Sequence, residues 1–207
     1  MKPRREPAEI ERLKGQILDA ALEIIISAGM DGLTMRKLAA RMKMTAPNLY
    51  NYFSGKDEIY ISIVIRGFEM LHAALKDAHD QNAENPAARA RVMIDAYMHF
   101  GMTHPQYYDI MFTRPTPKHA DYVGTPHEPL SAVEYRLSMA IADMALETAA
   151  AVTADAAESE TVQRRVIEIW SLMHGMITLY NSRVVQYVAE PAEPVYRTII
   201  EQYLKQL

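Results

Sequence analysis

The chain has 207 residues, 49% of them hydrophobic, which is enough for one or two globular domains and too apolar for a disordered tail. It contains no cysteine, which excludes disulfides, thiolate zinc sites and cysteine nucleophiles. The formal charge of −4 hides an asymmetry: residues 1–66 hold 11 Lys+Arg against 8 Asp+Glu (+3), the remainder 11 against 18 (−7), so a polyanion would be met by the first third and repelled by the rest.

The pattern predicts an all-α protein. A first helix is expected from about Ala8 to Ala28, with Leu13, Ile17, Ala20, Ala21, Ile24 and Ala28 as its apolar stripe and Gly29 ending it. Next comes GLTMRKLAARMKMTAPNLYNYFSGK, from Gly32 to Lys56. Thr34 is an N-cap candidate, and Met35, Leu38, Ala39 and Met42 follow at helical spacing. Thr45 is a second N-cap candidate, with Pro47 in the first turn, where a missing N–H costs little. Leu49 and Phe53 share the buried face of this second helix. Ala46, Asn48, Tyr50, Asn51 and Tyr52 are left for its outer surface. Amides can read base edges. Hydroxyls and the neighbouring Arg36, Lys37, Arg41, Lys43 and Lys56 can hold phosphates.

This segment resembles the helix-turn-helix of the TetR family of bacterial transcriptional regulators. The family pattern is roughly Thr-x-x-x-(Ile/Leu)-Ala, a short turn, Ser/Thr, then Leu-Tyr-x-(His/Tyr)-Phe-x-x-Lys. Thr34, Leu38, Ala39, Thr45, Leu49, Tyr50, Tyr52, Phe53 and Lys56 stand at the matching positions. The strong resemblance covers about the first 65 residues. One departure is Lys43-Met44, where many members carry Gly-Val; a left-handed turn residue there has to be non-glycine, at a small cost. The resemblance implies a DNA-binding domain over residues 1–55 and a ligand-binding and dimerisation domain over 56–207. It also implies that Arg36 stands at a base-contacting position.

The remaining elements read as helices. No sustained apolar/polar alternation and no hairpin signal appears. A long helix is expected from about Lys56 to His79. Another starts at Asn85-Pro86 and carries Met93, Tyr97, Phe100 and His104, and a short one starts at Pro105. Residues 113–129, with Pro115, Pro117, Gly124, Pro126 and Pro129, read as a loop and as the most mobile part of the chain. Helices follow over about Ser131–Val152, Ser159–Val188 and from Pro194 towards the end. About nine helices result, the number the family would give.

In the Ser159–Val188 stretch, Ile167, Ile169, Trp170, Leu172, Met173, Met176, Ile177, Leu179, Tyr180, Val184 and Val185 cover more than one face. Burial on two sides is expected, against the helix's own core and against a partner. The last helix adds Val195, Ile199, Ile200, Tyr203, Leu204 and Leu207. In TetR-like proteins these two helices pair with their copies, which implies a homodimer with two heads for a palindromic operator. A helix wholly internal to a monomer is the alternative. Trp170, His174 and Gly175 resemble the Trp-x-x-x-His-Gly signature of one TetR subgroup. A glycine in mid-helix costs about 1 kcal/mol against alanine, so close helix approach is expected at Gly175.

Tyr97, Phe100, Tyr107, Met111, Phe112, Met139, Trp170 and His174 are candidates to line a cavity for a small apolar or aromatic ligand; each could equally be core. The resemblance implies that such a ligand would release DNA. No cofactor and no metal site is expected: the chain has seven histidines, but pairs such as Asp95/His99 lack a third convergent ligand. Enzymatic readings fail for want of a Gly-rich phosphate loop, a Gly-x-Ser-x-Gly elbow or His-Glu-x-x-His. No apolar run of about 18 residues occurs, so no membrane span is expected, and MKPRREPAEI lacks the apolar segment of a secretion signal. A cytoplasmic location is the default. Lys2, Arg4 and Arg5 are a solvated tail or reach the DNA backbone or minor groove. The role that the resemblance implies is a repressor. The alternative is a helical small-molecule-binding or interaction protein without sequence-specific DNA binding.

Overall fold

The structure is a computed structural model that describes residues 6–205, so Lys2, Arg4, Arg5 and Leu207 lie outside the described residues. Among those described there are ten α-helices and no strand. They are α1 (Pro7–Gly32), α2 (Met35–Arg41), α3 (Ala46–Leu49), α4 (Lys56–Asp80), α5 (Pro86–Thr103), α6 (Pro105–Tyr108), α7 (His119–Tyr122), α8 (Glu128–Thr153), α9 (Glu160–Asn181) and α10 (Glu193–Leu204). A π-turn, Asp109–Thr113, continues α6, and a 3₁₀ turn, Val185–Tyr187, lies between α9 and α10.

The chain divides into two compact units. The first takes residues up to Phe68 together with Gln106–Arg136; the second takes Glu69–Pro105 and Leu137 onward.

In the first unit the expected stripe of α1 is buried at Ile17, Ala21 and Ile24, joined by Ile25. Gly29 leaves helical geometry at φ 70°, ψ 178°, so α1 kinks where its end is expected. Gly32 sits where a Cβ would collide with that of Ala28, so the corner between α1 and α2 needs a residue without one. Leu38, Leu49, Phe53, Ile59 and Ile63 complete this core. On α4, a Cβ at Gly67 would run into the thioether of Met111 and the ring of Tyr107, so α4 and the α6–π segment meet closely there.

In the second unit α5 and α9 approach at Gly101. A Cβ there would lie 2.5 Å from Ile177 Cδ1. Asn181 Nδ2 donates to Gly101 O at 3.0 Å, and Tyr196 OH donates to Met176 O at 2.9 Å, joining α9 to α5 and to α10. Met173, Met176 and Ile177 are buried, while Ile167, Trp170 and Leu179 are exposed at 60%, 46% and 45%.

Three sequence expectations need correction. Residues 113–129 are not a loose loop: α7, a helix beyond the nine expected, lies within them, and Thr116 and Tyr122 are buried. Tyr60 OH donates to Pro117 O at 2.9 Å, Thr116 Oγ1 to Ile110 O at 3.2 Å and Lys118 Nζ to Met111 O at 3.1 Å. Proline content marks broken helix, and these buried anchors fix the segment. Next, α9 stops at Asn181 and does not run to Val188. Arg183 turns left-handed at φ 60°, and the amides of Arg183 and Val184 close back onto Tyr180 O and Leu179 O. Finally, α8 begins at Glu128, three residues early, because Pro129 falls in the first turn where no N–H is required.

Candidate nucleic-acid interface

The segment from Thr34 to Lys56 forms two short helices held at a corner. Thr34 Oγ1 accepts from the amide of Lys37 at 3.1 Å, and Thr45 Oγ1 from that of Asn48 at 3.4 Å, so both expected N-caps are made. Between them Lys43 adopts φ 54°, the left-handed turn expected of a non-glycine residue there. Regular helix in α3 is one turn, Ala46–Leu49, shorter than the expected Thr45–Phe53. The amides of Tyr50, Tyr52 and Phe53 still bond back to Ala46 O, Leu49 O and Leu49 O. Leu49 and Phe53 fix this segment by burial.

The outer surface holds the residues named for it. Thr34, Arg36, Thr45, Pro47, Tyr50, Asn51 and Lys56 are exposed, and Ala46, Asn48 and Tyr52 are half-buried. Asn51 Nδ2 donates to Asn48 Oδ1 at 3.4 Å, so the two amides stand side by side. Arg41 pairs with Glu23 of α1. Arg36, Lys37, Lys43 and Lys56 make no ion pair among the described residues and stay available to an anion. Glu58 reaches back to accept from the amide of Ser54 at 2.6 Å, which caps the start of α4 beside Lys56.

The eight residues named for a ligand divide between the units. In the first, Phe112 meets Phe68 edge-on at 5.7 Å, Met111 is buried, and Tyr107 lies under the guanidinium of Arg66 at 6.0 Å. In the second, Trp170 Nε1 donates to Tyr97 OH at 2.8 Å, and His174 lies against the indole at 6.4 Å. Burial holds the His174 imidazole below its usual pKa and favours its neutral form. Phe100 is buried, and Met139 is exposed.

A small cavity in the first unit lies elsewhere. Its wall combines Ile61, Val64 and Pro117 with the polar groups of Tyr60, Lys118, Tyr122, Ser131 and Glu134. Burial pushes the Tyr60 phenol up to about 12 and raises the Glu134 carboxyl, the latter against the pull of Lys118 and His119. Sequence reasoning missed these residues, since they fall in no motif and come together only through the folding of residues 113–129.

Residues 17–63 match the family described as bacterial regulatory proteins, tetR family, and residues 90–203 match the tetracyclin repressor-like C-terminal domain. The transcriptional activator FasR of Mycolicibacterium smegmatis is 29% identical over 113 residues, 55% of this chain and 48% of that protein. The class D tetracycline repressor of Escherichia coli is 30% identical over 113 residues, 53% of this chain and 49% of that one. The matched stretch spans about half the length of these curated relatives. In fold, the chain is similar to AibR, solved with isovaleryl coenzyme A and operator DNA. The TM-score is 0.62 at 17% identity, over 81% of this chain and 85% of that one.

Proposed function

The chain belongs to the tetR family of bacterial regulatory proteins, and from that premise we propose that it is a repressor that binds a palindromic operator as a homodimer and leaves it when a small apolar or aromatic effector binds. The observation that carries the DNA reading is the Thr-capped pair of short helices, with Thr45, Pro47, Tyr50 and Asn51 exposed beside unpaired cations. Residues 1–55 act as the DNA-binding domain and 56–207 as the effector and dimer domain. Asn48, Asn51 and Arg36 read base edges, and Ala46 and Pro47 pack on a thymine methyl. Thr34, Thr45, Tyr50, Tyr52 and Lys56 hold phosphates, which fixes register without reading sequence.

Support for the homodimer comes from α9. Ile167, Trp170 and Leu179 are exposed on it, and nothing lies within 4 Å of a Cβ placed on Gly175. The close helix approach expected at Gly175 is not found among the described residues, where it falls at Gly101 instead, and we assign the crossing at Gly175 to a partner helix. Two heads would then meet half-sites about 34–36 Å apart. The residues proposed for effector contact are Tyr97, Phe100, Met139, Trp170 and His174 in the second unit and Tyr107, Met111 and Phe112 in the first, each set within its own unit. The effector shifts the equilibrium only by its differential affinity for the released state. The likeness of Trp170, His174 and Gly175 to the Trp-His-Gly subgroup belongs to this reading. No described helix is long and apolar enough to cross a membrane, and the proposed site of action is cytoplasmic.

The test is selection of bound fragments from random DNA by the purified protein, followed by sequencing. An enriched palindrome supports a dimeric specific regulator. Salt-sensitive background binding with no enriched sequence favours a helical binding protein without operator recognition.

A further inference from the structure

We propose that Arg114, which lies outside the helix-turn-helix, is a positioning residue for DNA binding: its guanidinium grips the turn of α1 before the Gly29 kink and sets the corner from which α2 and α3 project. The inference rests on the DNA-binding reading above.

Gly29 leaves helical geometry inside α1, three to four residues after Ile25 and Ile26. Arg114 Nη1 donates to Ile25 O at 3.1 Å and Nη2 to Ile26 O at 2.9 Å. Its third nitrogen, Nε, donates to Asp109 Oδ2 at 2.5 Å. The whole fork is therefore engaged, two prongs on α1 and one on the π-turn that precedes the residue. That base is itself fixed. The amide of Arg114 closes onto Asp109 O at 3.0 Å, Thr116 Oγ1 and Lys118 Nζ bond to Ile110 O and Met111 O, and Met111 sits on Gly67 of α4.

Beyond the gripped turn the chain is held by the Arg41–Glu23 pair between α2 and α1 and by buried Leu33 and Leu38, none of which lies at the kink itself. It passes through the left-handed Gly29 and the crowded Gly32 before Thr34 caps α2. A small rotation at Ile25–Ile26 is carried into α2 and on to α3, whose exposed residues would have to match a groove. A planar fork specifies direction as well as charge; a lysine in its place offers a point charge without that direction.

Two measurements on the full-length protein test this. The first is amide hydrogen exchange without DNA. Arg114→Gln is expected to speed exchange through the Met30–Phe53 segment by about tenfold while leaving α9 as in the wild type. Unchanged exchange in that segment overturns the grip, whatever the protein does with DNA. The second is binding to a labelled duplex carrying the sequence that the wild type enriches, against an unrelated duplex. Arg114→Gln and Arg114→Lys are both expected to lower the ratio of specific to non-specific affinity by about tenfold, with non-specific affinity and salt slope kept. Arg91→Gln breaks the Arg91–Glu201 pair of the second unit and should leave that ratio unchanged. Equal loss on both duplexes, or full rescue by lysine, overturns positioning in favour of a charge contact. A wild type that enriches no sequence sinks the DNA-binding reading, and the exchange result still decides the grip.

Discussion

Trp170 keeps 46% of its surface exposed while its indole N–H donates to the phenol of Tyr97 at 2.8 Å. The bond fixes the orientation of the ring, and part of the indole stays open to solvent. Because this is the only tryptophan in the chain, its emission reports one place. Under the proposed dimer, dilution should move the emission to longer wavelength as the partner leaves the indole. Constant emission across a range where sedimentation shows dissociation would remove Trp170 from the interface.

Gly175→Ala separates helix propensity from partner contact. Within one chain a Cβ there meets nothing within 4 Å, so α9 should gain about 1 kcal/mol of helix stability. Across a close helix crossing the same methyl should weaken association. The expected pair of results is an unchanged or higher melting temperature for the monomer and a larger dimer dissociation constant. Stronger association would argue against a crossing at Gly175.

Lys43 occupies the turn between α2 and α3 at φ 54°, a region that glycine enters without a Cβ penalty. Lys43→Gly should therefore stabilise the fold by up to about 1 kcal/mol, the relief of strain being offset in part by the freer unfolded chain. Thermal melting at one protein concentration checks it. A lower melting temperature would mean that the lysine side chain contributes more than its backbone costs.

Glu134 carries a pH expectation. Burial raises its carboxyl above the ordinary 4.5, and the pull of Lys118 and His119 does not cancel that. A raised acid holds its proton better folded than unfolded. Its favourable contribution is complete below about 4.5 and is lost as pH rises through the folded value. Glu134→Gln should raise the melting temperature near pH 7–8 and change it little near pH 4. The opposite trend with pH would show that the pairing with Lys118 and His119 outweighs burial.

On DNA, Lys56 and Asn51 should fail differently. Lys56→Ala should weaken binding to all sequences and flatten the salt dependence, as expected for a phosphate contact. Asn51→Ala should relax discrimination at one base step by about 1–3 kcal/mol. Exchanged phenotypes would reverse the two assignments.

The helix-turn-helix was legible because its signals are local. Thr34 and Thr45 cap within three residues of themselves, and Leu49 and Phe53 lie four apart on one face. The start of α5 at Asn85-Pro86 was readable for the same reason, while Gly29, expected to end α1, only kinks it before it runs on to Gly32. What escaped depends on distant partners. α9 gives way after Asn181, whose side chain is taken by Gly101 O, while the apolar pattern runs on through Val184 and Val185. Arg114 reads as a loop cation in sequence, and its acceptors are carbonyls of α1, which carry no residue-type signal at all.

Residues 113–129 have a linker's composition, but they are tied down at two points. Arg114 is fixed to Ile25 and Ile26, and Tyr122 is buried with its hydroxyl 3.5 Å from Asp57. The number of residues between those anchors is therefore set by a span and cannot drift freely. Insertions or a fused tag belong instead in the exposed turns near Glu84 or Asp155, outside those anchors.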